Sequence, residues 1–474
     1  MLQNLDCTDA SMIAARWPNQ TVQVARRILR TMAVLGFAMA LSHCATYHPL
    51  PLAKETHALS STEAAVLTQA ASTIDRTYLK PLRLTLDAPL DLNAIAVIAV
   101  LNNPELQSLR ARAGVAEAQV FAARLLPDPA LSGGFDPLLS GPDPMAAILG
   151  QLTVDLAALR SRQVTLASEQ ASSQAVRLDL AWMEWQTAGQ ARLLAIRTLA
   201  LGQVAALAEE SRKSADAQVL THSRATQRGD LREADGAALR SAAMDASTLA
   251  STANHELAAA RLDLARVLGL TSGAQLQLSA PSERVLKPLP DAENLSQIAI
   301  SQRLDLRALA AGYASQEAVV HKAVLDQFPN LSLTVTGQRD TSGNVLLGPS
   351  VAFTLPLWNR NRGGIAVAEA TRAALKAEYS ARMDQTRSEV TNAVETLGAA
   401  RRQHRDLELA IPALSLAVQR ARAAASRGDL NPSLVAINEQ ALRDKRIQLV
   451  HLKQSESEQW VSLELLTGVP EENW

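Results

Sequence analysis

The longest pattern in this chain is helical. From Leu159 to Arg228 there is no proline, and only Gly189 and Gly202 interrupt some seventy good helix formers as tolerated interior positions. That predicts one helix of roughly 100 Å, far longer than an ordinary globular element. The stretch from Ile365 to Arg427 repeats the pattern, with Pro412 as an expected bend. Both helices should stop at the same four residues, Arg228-Gly229-Asp230-Leu231 and Arg427-Gly428-Asp429-Leu430, before helices over 231–268 and 433–467 return. Gly229 and Gly428 suit the position just past a helix end. Asp230 with Glu233 reads as a capping box, and Asn431-Pro432 as an N-cap followed by a first-turn proline. A plain helix-turn-helix therefore accounts for Arg-Gly-Asp in both places without an adhesive role.

A second periodicity lies elsewhere. Leu331, Leu333 and Val335 alternate with Ser332, Thr334 and Thr336; Asp340 to Asn344 turns the chain; then Val351, Phe353 and Leu355 alternate again. This predicts a hairpin with one apolar face, its strands long enough to cross a membrane obliquely. Ala130 to Phe135 and Ile148 to Leu156 form a poorer counterpart, expected to be short and joined by a proline-rich link containing Asp136-Pro137, Gly141-Pro142 and Asp143-Pro144.

The two patterns occur twice in register. Asn103-Pro104-Glu105-Leu106 corresponds to Arg303-Leu304-Asp305-Leu306, the two Arg-Gly-Asp-Leu turns correspond, and Leu264 to Gly269-Leu270 corresponds to Leu463 to Gly468-Val469, all at a spacing close to two hundred residues. Such agreement implies a duplication of one large unit. The expected organisation is a leader over 1–43, an anchor and extended segment over 44–90, a first repeat over 91–270 whose opening helix Asp91 caps, a linker over 271–290, a second repeat over 291–469 and a tail over 470–474.

Composition narrows the fold further. Hydrophobic residues make up 47% but aromatics only 3%, which suits long close-packed alanine-rich helices better than an enzyme core with aromatic-lined pockets. The formal net charge of -1 and the scattered Lys and Arg give no attraction for nucleic acid. A Gly-rich phosphate cradle, a His-Glu-x-x-His motif and a nucleophile with placed partners are all missing; His255-Glu256 lacks the second histidine, and the eight histidines do not gather in sequence. No catalytic residue, metal ligand or cofactor is therefore expected.

Near the start, Arg26, Arg27 and Arg30 precede an apolar run from Met32 to Leu41, followed by Leu41-Ser42-His43-Cys44. This reads as a secretory leader ending at a lipidated cysteine, Cys44, although His43 is larger than the small residue expected before the cleavage point. The apolar run is too short for a comfortable membrane span.

The segment Leu355-Pro356-Leu357-Trp358-Asn359-Arg360-Asn361-Arg362-Gly363-Gly364-Ile365 resembles the strand-to-helix junction of TolC-like outer membrane efflux proteins, especially those serving heavy-metal efflux. Leu126-Pro127-Asp128-Pro129-Ala130-Leu131-Ser132-Gly133 is similar to the start of the first strand in that subgroup. The resemblance implies a mixed α/β chain, mainly long α-helices, that forms a homotrimer with a periplasmic α-helical barrel and a shared 12-stranded outer membrane β-barrel. It implies partners as well: a periplasmic adaptor, an inner membrane pump and outer membrane lipids. Residue by residue, Pro356 should end the strand, Trp358 lie at the membrane rim or in the core, Asn359, Arg360, Asn361 and Arg362 present polar groups, and Gly363 and Gly364 turn the chain into the helix. The two Arg-Gly-Asp-Leu turns become the periplasmic tip where an adaptor docks. The alternative is a nonchannel tethering lipoprotein of long helices, which leaves the alternating hairpins unexplained.

Overall fold

The computed structural model describes residues 47–52, 61–76, 79–85, 88–271, 276–279 and 288–474. Cys44 and the leader lie outside them. Two units separate, Met1–His57 and Ala58–Trp474; in the first, residues 47–52 are exposed and without regular structure.

The second unit contains α1 (Ser61–Ser72), α2 (Leu92–Asn102), α3 (Pro104–Arg124), β1 (Ala130–Asp136), β2 (Ala147–Asp155), α4 (Leu156–Gln227), α5 (Gly236–Val267), α6 (Ala292–Gln302), α7 (Leu304–Leu325), β3 (Leu331–Arg339), β4 (Val345–Phe353), α8 (Arg362–Ser426) and α9 (Pro432–Thr467). From α2 to α5 and from α6 to α9 the same succession occurs: short helix, helix, two strands, long helix, returning helix. At 72 residues α4 spans about 110 Å, and α8, at 65 residues, about 100 Å. Helix α8 continues through Pro412 without interruption.

Local chemistry starts and stops these helices. Asp91 accepts from the Ala94 amide, Asn103 from Glu105 and Leu106, and Asp155 from Ala157 and Ala158, each satisfying N–H groups that have no intrahelical partner. Asn431 caps α9 through the Ser433 amide, with Pro432 in the first turn.

The core sits midway along the long helices. Helix α2, apolar on every side, has Ala94 to Val100 buried against Ala188, Ala191 and Ala195 of α4 and Leu264 of α5. A matching cluster joins Leu295 and Ala299 of α6 to Val390 and Leu397 of α8 and to Trp460 and Leu463 of α9. Alanine lets the helices approach closely, and at one place even alanine would crowd its neighbour. A Cβ on Gly189 would lie 2.2 Å from the Leu465 side chain, so any larger residue would force Leu465 of α9 to move, whereas Gly202 has open space. One 18-residue window in α4 is apolar enough to cross a membrane, and half of it is buried within the unit.

The strands form one antiparallel sheet in the order β1-β2-β3-β4. The first hairpin is more regular than its sequence suggests: β2 has nine residues, as do β3 and β4, and β1 has seven. Leu355 lies beyond the end of β4, two residues past Phe353.

Candidate functional site

Residues directly opposite in neighbouring strands point to the same side of a sheet. The register, which pairs Leu131 with Leu152, Leu152 with Val335, and Leu333 with Val351, therefore sorts the whole sheet into two faces. One face carries Leu131 and Phe135, Ile148, Leu152 and Val154, Leu331, Leu333 and Val335, then Val345, Leu347, Pro349, Val351 and Phe353. Its only charge is Arg339, at the turn end of β3. The other face carries Ser132, Asp136, Gln151, Thr153, Asp155, Ser332, Thr334, Thr336, Gln338 and Ser350, with Leu149, Leu346 and the small Ala130, Ala147 and Ala352 as exceptions. On it the hydroxyls of Thr153 and Thr334 meet at 2.9 Å. Along β2 and β3 the apolar positions are the more exposed ones, Leu333 at 37% and Val335 at 41%. Among the described residues, the outer edges of β1 and β4 have no strand partner.

At the end of the sheet away from the helices, Asp143 in the first link accepts hydrogen bonds from Thr341 and Ser342 in the second hairpin's turn, which fastens the two links together. The Asn344 side chain and backbone hold the Asp340 carboxyl below its ordinary 3.8.

The opposite end of the sheet meets the helices through the 355–364 segment. Pro356 follows the strand by three residues, and Trp358 is 87% exposed, so it is not a core residue of this chain. The turn into α8 is made by Arg360 and Asn361, both in the left-handed region with φ of 46° and 52°. Gly363 and Gly364, expected to make that turn, lie inside the helix. Their roles differ. Asn361 donates to the Ala323 carbonyl at 2.8 Å, and a Cβ on Gly364 would fall 2.4 Å from the Asn361 Oδ1, while Gly363 has nothing near it. Arg360 and Arg362 are exposed, and Arg360 Nε donates to the Pro356 carbonyl. From the neighbouring α4, Arg160 donates to Leu325 and Pro329, and Arg162 to Arg124 and Leu125, so both shorter helices end on arginines.

The two Arg-Gly-Asp-Leu turns have one geometry. Asp230 N donates to Ala225 and Gly229 N to Thr226; Asp429 N donates to Ala424 and Gly428 N to Ala425. These bonds make a Schellman closure with Gly229 and Gly428 at φ of 82° and 83°. Each arginine then pairs with the aspartate of its own turn, Arg228 with Asp230 at 3.1 Å and Arg427 with Asp429 at 2.9 Å, all four side chains well exposed. The expected capping box is not formed. Asp230 is engaged by Arg228, a 3-10 turn occupies Glu233–Asp235 without a side-chain cap, and α5 begins only at Gly236. Leu231 is exposed and Leu430 half-buried.

Glu439 of α9 accepts from Arg422 of α8 at 2.6 Å and from Gln218 of α4 at 2.7 Å, beside a cavity of about 300 Å³. Leu231, Arg422 and Glu439 border one neighbouring hollow, which places both turns at the same end of the helices.

Midway, sequence reasoning missed a buried carboxylate. Glu184 of α4, 2% exposed, receives Arg76 at 2.6 Å and Arg110 at 2.7 Å. Burial pushes its carboxyl up, but the hydrogen bonds and charges of both arginines outweigh this and leave it below the ordinary 4.5. Among the described residues, no three His, Cys, Asp or Glu side chains are placed to hold a metal ion.

Residues 295–469 match the family described as outer membrane efflux protein. No curated protein matches the chain in sequence. Solved structures share its architecture. CusC is 18% identical with a TM-score of 0.69, covering 81% of this chain and 94% of that one. The Campylobacter jejuni CmeC outer membrane channel is 14% identical with a TM-score of 0.70, covering 90% and 95%. The Vibrio cholerae outer membrane protein VceC is 16% identical with a TM-score of 0.68, covering 80% and 96%. The chain thus has the fold of these proteins, long helices carrying a small four-stranded sheet, and they are not enzymes.

Proposed function

We propose that this chain is the outer membrane channel of a tripartite efflux system, conducting substrates passively from the periplasm, or from a pump and adaptor, to the exterior. The observation that carries this reading is the sheet: among the described residues it has four strands, three of them nine residues long, with an exposed apolar face, a polar face and two edges without a strand partner. In hydrocarbon each unpaired backbone group costs several kcal/mol, so such a sheet is stable only when closed into a barrel. Four strands are too few to enclose a wide pore, and further copies of the chain supply the rest. Three copies give twelve strands, apolar outward and polar toward the lumen, with the long helices continuing the conduit into the periplasm.

In this reading the 356–362 junction is the membrane rim, the paired turns at 228–231 and 427–430 are the periplasmic tip that an adaptor meets, and Cys44 carries a lipid anchor. Energy comes from an inner membrane pump, since the chain carries no nucleotide loop. Drugs and heavy-metal ions are the candidate cargo, the latter supported by the junction motif at 355–365. Outer membrane fractions should contain a heat-modifiable trimer that conducts ions in planar bilayers. A boiled and an unboiled sample of identical mobility, with no conductance, would instead favour a tether of long helices.

A further inference from the structure

Where the apolar face of the sheet meets the helices, the surface changes from uncharged apolar residues to apolar residues with positive charge. Phe353, the last residue of β4, is followed by exposed Leu355, Leu357 and Trp358, and then by exposed Arg360 and Arg362. Between residues 341 and 368 the sequence contains no aspartate or glutamate. Neither arginine pairs with a carboxylate among the described residues. The segment is held in one shape: the left-handed pair Arg360 and Asn361 would be unfavourable in a loose loop, and the Asn361 bond to Ala323 fixes it to α7.

We infer that this segment binds the anionic headgroups of phospholipids in the leaflet nearest the helices. The inference rests on the channel reading and names the lipid class its rim prefers. Three observations converge. The segment continues directly from the apolar face, so its leucines lie where acyl chains give way to headgroups. An exposed tryptophan is stabilised at that depth by its amphipathic ring. Two guanidinium groups without protein carboxylates are matched to phosphate oxygens, which they bind through paired N–H donors. Zwitterionic headgroups carry a cation that opposes such contacts, whereas an anionic surface attracts each arginine.

The full chain would be reconstituted into phosphatidylcholine vesicles containing the same mole fraction of either brominated phosphatidylglycerol or brominated phosphatidylethanolamine. Tryptophan quenching is then read only in fractions carrying the heat-modifiable oligomer. The Trp358 share of the signal is isolated by comparison with Trp358→Phe, because the chain has six tryptophans. Quenching of that share should be at least about twofold stronger with the anionic lipid, and Arg360→Gln with Arg362→Gln should bring the two lipids level. Equal quenching in the unaltered protein overturns the inference, as does a preference that survives the double substitution. Absence of quenching by either lipid also overturns it, showing the segment covered by a neighbouring copy. Failure to form the oligomer in any vesicle overturns the channel reading as well, which separates the two.

Discussion

Asn361 donates through Nδ2 to the carbonyl of Ala323 at 2.8 Å, so the residue that opens one long helix is tied to the last turn of α7. Its Oδ1 fills the space left by the missing side chain of Gly364. Replacing Gly364 with Ala should break this tie at a cost of about 1–3 kcal/mol, seen as a lower melting temperature of the purified oligomer. The adjacent Gly363→Ala should be neutral or stabilising by up to about 1 kcal/mol, because its Cβ would meet nothing. Equal effects of the two would refute this account of the junction.

Glu184 is the charge on which α3 and the segment after α1 converge. Glu184→Gln leaves Arg76 and Arg110 without their shared anion and should cost about 3 kcal/mol, the lower end for a buried pair because both arginines keep some hydration. Its folded carboxyl value lies below the ordinary 4.5, so its contribution is complete above that pH and is lost as pH falls through the lowered value. Thermal melts taken from neutral to acid pH should therefore converge for the variant and the parent. A gap that widens in acid would contradict the sign.

How much of this was legible in the sequence depended on range. The long helices, the Schellman turns at Gly229 and Gly428 and the caps at Asp91 and Asn431 are decided by residues within a few positions of each other, and they could be read directly. Glu184 could not, since its partner Arg76 lies 108 residues away and no local pattern announces the meeting. The first hairpin was undervalued because Gly133, Gly134 and the linking prolines depress strand propensity, whereas β2 has strand neighbours on both sides to hold it in register. At the junction, composition misled: two glycines suggested the turn, but the left-handed positions belong to Arg360 and Asn361.

Leu333 and Thr334 are consecutive residues on opposite faces of the sheet. In the channel reading, Leu333→Arg, near the helix end of β3, should destabilise the membrane-inserted oligomer by about 1 kcal/mol and reduce its yield, while Thr334→Arg should assemble normally and change conductance instead. Refolding yield in lipid vesicles and single-channel recordings distinguish the two. Similar losses at both positions would dismiss the assignment of the faces.

Replacing Arg228 and Arg427 together removes two exposed pairs, which should alter stability by less than about 1 kcal/mol. If the turns dock an adaptor through those arginines, oligomer levels stay normal while adaptor crosslinking falls and cells become more sensitive to exported compounds. Unchanged crosslinking and resistance would confine both arginines to neutralising their own aspartates.

Cys44→Ser should abolish incorporation of labelled fatty acid. Persistent label would remove Cys44 as the anchor; loss of label with membrane retention would show that the barrel alone seats the protein.

The two edges of the sheet, β1 and β4, also bear on inheritance. In the channel reading, a chain that must borrow strands on both sides to close its barrel cannot act independently of its siblings. A copy that folds its helices but spoils one edge would enter mixed rings and leave them open. In a cell carrying both alleles, most rings would include at least one such copy, so a recessive loss at the level of the single chain becomes a dominant loss at the level of the assembly.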